Sequence, residues 1–195
     1  MKNSGDIMAK QLKLLGFVGS LRQGSYNRAL MHAAQELLPE NVELEVFEIA
    51  EIPPFNQDLE LQPPQVVREF KAKIRNADVL LIASPEYNYS VPGVLKNAID
   101  WASRPFAENP FDDKPVAIIS ASVGKLGGAR MQYHLRQTFV YLNMHPLNRP
   151  EFMLSKAKDH FDNQGKLVDE EARQRLKQLL EALVQWTWKL KGKIP

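Results

Sequence analysis

"KLLGFVGSLRQGSYNRAL", Lys13 to Leu30, joins a strand to a helix through a polar, glycine-bearing turn. Leu14–Val18 is an apolar run of strand length. After the turn, Leu30, Ala33, Ala34, Leu37 and Leu38 recur at helical spacing, and Pro39 closes the run. The turn lacks the GxGxxG of a dinucleotide fold and the lysine of the GxxxxGK[ST] loop of nucleotide triphosphatases. It still holds what one terminal phosphate needs. Ser20, Ser25 and Asn27 carry hydroxyl and amide groups, and Arg22 carries a planar fork matched to phosphate oxygens. Gly19 and Gly24 permit a tight turn. A helix starting near Ser25–Asn27 aims its free N–H groups and positive dipole end at the same spot. A monophosphate suits this loop, and a triphosphate does not. The competing reading is a plain polar turn with an N-cap serine.

The strand–turn–helix alternation continues along the chain. "VELEVF", Val42–Phe47, alternates as a less deeply buried strand, whereas Val79–Ser84 and Val116–Ser122 are continuously apolar, as strands covered on both faces are. A short fifth strand is expected within "HPLNRPEF". Between them, Val67, Phe70 and Ile74 mark one helix, opened near Pro63–Pro64, and Leu95, Ala98, Ile99 and Ala102 the next. Met131, Leu135, Thr138, Phe139 and Leu142 mark a further one. Leu176, Leu179, Leu180 and Leu183 mark a long last helix, with Asp169 as its N-cap. Successive βα units of this kind predict an α/β, flavodoxin-like three-layer sandwich around a five-stranded parallel sheet of order 2-1-3-4-5. The 195 residues suit one domain, 1–195, with 1–12 a polar, flexible lead-in and Met8 an alternative start.

Composition narrows the function classes. There is no cysteine, which removes disulfides, thiolate metal sites and cysteine nucleophiles. The polar N-terminus shows no secretory signal and no apolar run approaches the roughly 20 residues of a membrane span, so a cytoplasmic protein without a membrane partner is expected. The net charge of +2 is interspersed, with no basic block to mark a nucleic-acid partner. His32, His134, His145 and His160 have no metal-ligand spacing, and Glu170–Glu171 reads as helix N-terminal charge. Ser20 sits in GxLxxG and not in a GxSxG nucleophile elbow, which argues against a hydrolase.

In open α/β sheets, ligands bind outside the carboxyl ends of the strands. Two more loops therefore matter. "SPEYNYSVPGVLKNAIDW", Ser84–Trp101, is too rich in proline and aromatic residues for a bare connector. Tyr87 and Tyr89 are placed to flank a flat ring, and backbone groups from Glu86 to Asn88 to read its edge. "SASVGKLGGAR", Ser120–Arg130, has Gly124, Gly127 and Gly128 to admit a ligand close to the backbone. The bland alternatives are a structured helix-capping turn and a flexible loop. Together the three loops describe one crevice, with a monophosphate at one end and a flat aromatic body at the other. Flavin mononucleotide, FMN, has that shape.

GSLRxxSxN (Gly19–Asn27), "IPPFNQD" (Ile52–Asp58), "PEYNYSVPGVLKNAIDW" (Pro85–Trp101), "GGARMQYHLRQ" (Gly127–Gln137) and "NRPEF" (Asn148–Phe152) occur in order along most of the chain. Jointly they resemble the NADPH-dependent FMN reductase family, in its quinone and chromate reductase branch. The resemblance implies tightly but non-covalently bound FMN, with NADPH or NADH as donor. It assigns the phosphate to Ser20, Arg22, Ser25, Tyr26 and Asn27. Pro85, Glu86, Tyr87, Asn88 and Tyr89 would line the ribityl chain and ring, with Ser120 and Gly124 closing the third side. It also implies a homodimer or homotetramer, with Arg130, Tyr133 and Glu151 at a tetramer contact. Trp186, Trp188 and the N-terminal extension lie outside the motifs.

The expected activity is a ping-pong transfer of hydride from NAD(P)H, through flavin N5, to quinones or to other small acceptors such as chromate. The flavin would perform the chemistry, so no side chain is nominated as an acid–base catalyst. Arg104, in "WASRP", reads first as a solvated helix-end arginine and second as an attractor for NADPH phosphates or an anionic acceptor. The rival function is a flavodoxin-type electron carrier without its own NAD(P)H activity. Arg22 and the positive charge balance disfavour it.

Overall fold

Alternation at period two decides where each strand residue goes. The computed structural model describes residues 11–192. The expected lead-in thus falls almost wholly outside the described residues, except that Leu12 is already the buried first residue of a strand. The elements follow in the order β1 (Leu12–Val18), α1 (Tyr26–Glu36), β2 (Val42–Phe47), α2 (Gln65–Asn76), β3 (Val79–Ala83) and α3 (Gly93–Ala102). They continue with β4 (Pro115–Ala121), α4 (Ala129–Tyr141), β5 (His145–Pro146), β6 (Phe152–Leu154) and α5 (Glu170–Leu190). All strand pairings are parallel, in the path β2-β1-β3-β4-β5.

Val79, Leu81 and Ala83 of β3, with Ala117 and Ile119 of β4, pack on one side of the sheet against Leu30 of α1 and Leu176, Leu179, Leu180 and Leu183 of α5. Leu80, Ile82, Val116 and Ile118 face the other way, onto Phe70 of α2, Leu95 of α3 and Leu135 of α4. Each fully buried aliphatic side chain contributes about 1.5–3 kcal/mol, so two cores built on every second residue leave the central strands one register. β2 lies at the sheet edge, and its side chains are half-buried or exposed.

One expectation needs correction. The single fifth strand within residues 145–152 is two pieces, which makes a six-stranded sheet. β5 pairs with Pro115–Val116 and β6 with Ile119–Ala121, both on β4. Pro146 and Pro150 have no N–H to donate, and the chain leaves the ladder between the two pieces. Trp186 of α5 covers this break, its indole N–H donating to the His145 carbonyl at 3.0 Å. Among the described residues, no helix is long and apolar enough to cross a membrane.

Candidate active site

The first loop begins level with the end of β3, where the Gly19 N–H donates to the Ala83 carbonyl at 2.8 Å. A Cβ on Gly19 would sit 2.5 Å from the Ser84 hydroxyl, so only glycine lets this loop pass against the next one. Ser20 is buried, yet its hydroxyl bonds to no other described residue. The backbone N–H groups of Leu21 to Gly24, Tyr26 and Asn27 likewise find no acceptor among the described residues, while that of Ser25 closes the turn over Gln23–Gly24. Arg22 is exposed, its guanidinium beside Gly24, with no described carboxylate in ion-pair range. Ser25 caps α1, accepting from the Arg28 N–H at 3.4 Å. A run of unpaired donors around one free guanidinium, at the N-terminus of an eleven-residue helix, is the donor set a phosphate monoester needs.

The other two residues assigned to the phosphate face inward. The Asn27 amide donates to the Ala121 carbonyl at 3.0 Å and accepts from its N–H at 2.9 Å, which ties α1 to the end of β4. Tyr26 packs on Phe161, with ring centroids 5.1 Å apart. Both hold the loop in place from behind.

After β3 the chain makes a tight turn. Tyr87 and Ser90 exchange backbone hydrogen bonds of 3.1 and 2.9 Å, with Asn88 and Tyr89 between them at φ of 49° and 65°. The Glu86 carboxylate leaves this loop for α4. It accepts from the Arg130 and Met131 N–H groups at 3.0 and 3.3 Å and from Arg130 Nε at 2.5 Å, and it also pairs with Nη2 of Arg130. The N-cap of α4 is Gly128, which has no side chain to do this. The guanidinium lies 3.4 Å above the Tyr89 ring centroid, and Glu86 above all holds Arg130 more basic than usual. Arg130, expected at a subunit contact, is thus also paired within this chain.

Between this turn and the loop after β4 lies a cavity of about 380 Å³. Asn88 and Tyr89 line one side, and Ser122, Gly124 and Lys125 the other. Ser120 is sealed from it. Its hydroxyl donates to the Gly127 carbonyl at 2.6 Å and accepts from Gln132 Nε2 at 2.8 Å, and the side chain is fully buried. Gly127 and Gly128 answer to packing. A Cβ on Gly127 would meet the Met153 backbone at 2.9 Å, and one on Gly128 the Ser120 side chain at 2.8 Å. Of the three glycines, Gly124 has the open surroundings a ligand-facing position needs.

Pro85 is half-buried and Tyr87 half-exposed beside the turn. Arg104 is not among the residues lining the cavity. It follows the far end of α3, about 15 Å along the helix from the turn, and its carbonyl accepts from Lys71 Nζ at 2.5 Å. Tyr133 and Glu151 are exposed. Sequence reasoning missed Ser122 and Lys125. The "SVGKLGG" run held their signal, since polar residues just past a buried strand fall on the ligand-binding edge.

The family model described as NADPH-dependent FMN reductase matches residues 12–159. The chain belongs to the NADPH-dependent FMN reductase family. It is accordingly an oxidoreductase, with FMN and a nicotinamide dinucleotide as its cofactors. An NAD(P)H-dependent FMN reductase of Pseudomonas aeruginosa is 53% identical over 186 residues, covering 95% of this chain and all of that one. An NAD(P)H:quinone oxidoreductase of Solanum tuberosum is 50% identical, covering 93% of this chain and 96% of its own length. Among solved structures, the Paracoccus denitrificans flavoenzyme FerB, an NAD(P)H:(acceptor) oxidoreductase, superposes with a TM-score of 0.85. It is 34% identical and covers 91% of this chain and 98% of its own.

Proposed function

We propose that the protein is an FMN-dependent NAD(P)H:quinone reductase. The observation that carries this reading is the run of unpaired donors around Arg22, set on the same sheet edge as the cavity between the Tyr87–Ser90 turn and the Ser122–Gly128 loop. Ser20, Arg22, Ser25 and the unpaired N–H groups between Leu21 and Asn27 would hold the phosphate, with Tyr26 and Asn27 bracing the loop behind them. Pro85, Tyr87, Asn88 and Tyr89 would flank the ribityl chain and ring on one side, and Gly124 with Ser122 on the other. Glu86 contributes through its backbone, because its carboxylate is engaged at α4. When bound, FMN would supply the redox chemistry, a hydride transfer from NAD(P)H through N5 and then to an acceptor in a ping-pong cycle.

The residues' own part is to bind and orient. The cavity is open to solvent at Tyr89, which is two-thirds exposed, so an acceptor is admitted by flatness and not by a closed pocket. Quinones fit that criterion, and chromate would enter as a small opportunistic oxidant. Arg104 belongs to this face only if a second copy of the chain brings it there. The exposed Tyr133 and Glu151 suit a homodimer or homotetramer contact, which light scattering measures. The test of the activity is anaerobic mixing of the oxidised holoprotein with NADPH or NADH. The flavin absorbance should bleach and return on adding a quinone. A flavin that stays oxidised without a separate reductase would make the chain an electron carrier.

A further inference from the structure

We infer that Glu86 and Arg130 are positioning residues for the flavin site, holding the Tyr87–Ser90 turn in the left-handed conformation that shapes one wall of the cavity. The inference rests on the FMN reading above. Two consecutive residues in the turn, Asn88 and Tyr89, have positive φ and neither is glycine. Asparagine tolerates this region, but a bulky tyrosine does not adopt it unless its surroundings hold it there. The two hydrogen bonds between Tyr87 and Ser90 close a two-residue hairpin that needs positive φ at both central positions, and the cost of that conformation at Tyr89 is left to be offset by contacts of its side chain.

What remains is supplied from α4. The Arg130 guanidinium covers the Tyr89 ring at 3.4 Å. The guanidinium is in turn fixed by Glu86, whose side chain is only 7% exposed and which also caps the first turn of α4. One helical turn further on, His134 Nδ1 lies 3.0 Å from the Ser90 hydroxyl. Residues 130 and 134 therefore grip the turn from one face of α4, and Glu86, the residue just before the turn, closes the loop of contacts. The left-handed wall is then formed before any ligand arrives, which removes an ordering cost from binding. Nothing in a helix cap alone requires the cap to come from the flavin loop, nor its guanidinium partner to stack on Tyr89.

The test follows FMN release from the full-length holoprotein, by the rise in free-flavin fluorescence on dilution, together with the visible circular dichroism of bound flavin. Glu86→Gln keeps the size of the side chain and one acceptor oxygen but loses the charged pair. It should speed FMN release by about tenfold, the scale of one strained residue losing its support, and alter the dichroism. The same substitution in a Tyr89→Gly background should cost distinctly less, because glycine holds positive φ without help. An unchanged release rate and dichroism overturns the inference. So does an equal penalty in both backgrounds, which would leave Glu86 as a cap of α4 only. If Glu86→Gln does not fold, Arg130→Met carries the same cycle, and failure of both to fold also overturns a role local to the turn. A parent protein that takes up no FMN overturns the underlying reading itself.

Discussion

Arg22 has no acidic partner among the described residues, whereas Arg28, Arg130 and Arg173 are each paired with a glutamate. A free guanidinium beside unpaired amides is a binding group. A hydrogen bond to a charged group contributes about 1.5–3 kcal/mol, so Arg22→Ala should weaken FMN binding by about 10–100-fold. Riboflavin, which lacks the phosphate, should bind both proteins equally. Fluorescence-quenching titrations with the two flavins check this, and equal losses for both would remove Arg22 from the phosphate. The glycines make a second residue-scale prediction. Gly128 and Gly165 both have positive φ, but only Gly128 has a neighbour, Ser120, where a Cβ would go. Gly165→Ala therefore costs conformational strain alone, while Gly128→Ala adds overpacking of about 1–3 kcal/mol. Urea unfolding should rank Gly128→Ala well below Gly165→Ala in stability. The strand-to-helix turn from Gly19 to Asn27 was legible because its glycine and its Ser25 cap act locally. The Glu86 side chain was not legible, since its partner is 44 positions away and only the folded chain brings them together.

At the scale of elements, a helix start is readable when its cap is local. Asp169 is such a case, accepting from the Ala172 N–H at 2.7 Å. The fifth strand was not readable as two pieces, because proline marks where a ladder fails but not whether pairing resumes beyond it. The Asp169 cap carries a pH signature. The Ala172 N–H, and after it His160 with Nδ1 3.2 Å away and Arg175, hold the Asp169 carboxyl below its ordinary value of 3.8. A carboxyl depressed in the folded state stabilises fully above its unfolded value and loses that stabilisation as pH falls through the folded one. Asp169→Asn keeps a capping oxygen and has no charge to lose. The stability difference between parent and Asp169→Asn should shrink steadily as the pH falls below about 4. Denaturant unfolding at stepped pH measures it, and a difference that is flat down to the acid transition would deny the charge any role.

At the scale of the whole molecule, the sheet order was legible because buried parallel strands and amphipathic helices allow few arrangements at this length. That order puts the first loop and the turn after β3 side by side, with the loop after β4 next to them. Gly19 against Ser84, Asn27 on Ala121 and Glu86 on Arg130 are among the contacts that join them. No piece of the site exists in the unfolded chain, so a ligand there binds the native state alone. Stabilisation by such a ligand follows from its concentration and dissociation constant, reaching about 2.7 kcal/mol at a hundredfold excess over that constant. For a domain of this size each kcal/mol moves the melting midpoint by about 2–4 °C, so saturating FMN should raise it by on the order of 5–10 °C. Riboflavin at the same concentration should raise it much less, because the unpaired donors around Arg22 stay unpaired. Equal shifts with the two flavins would mean that the ring alone is recognised, and the loop from Gly19 to Asn27 would return to being a polar turn.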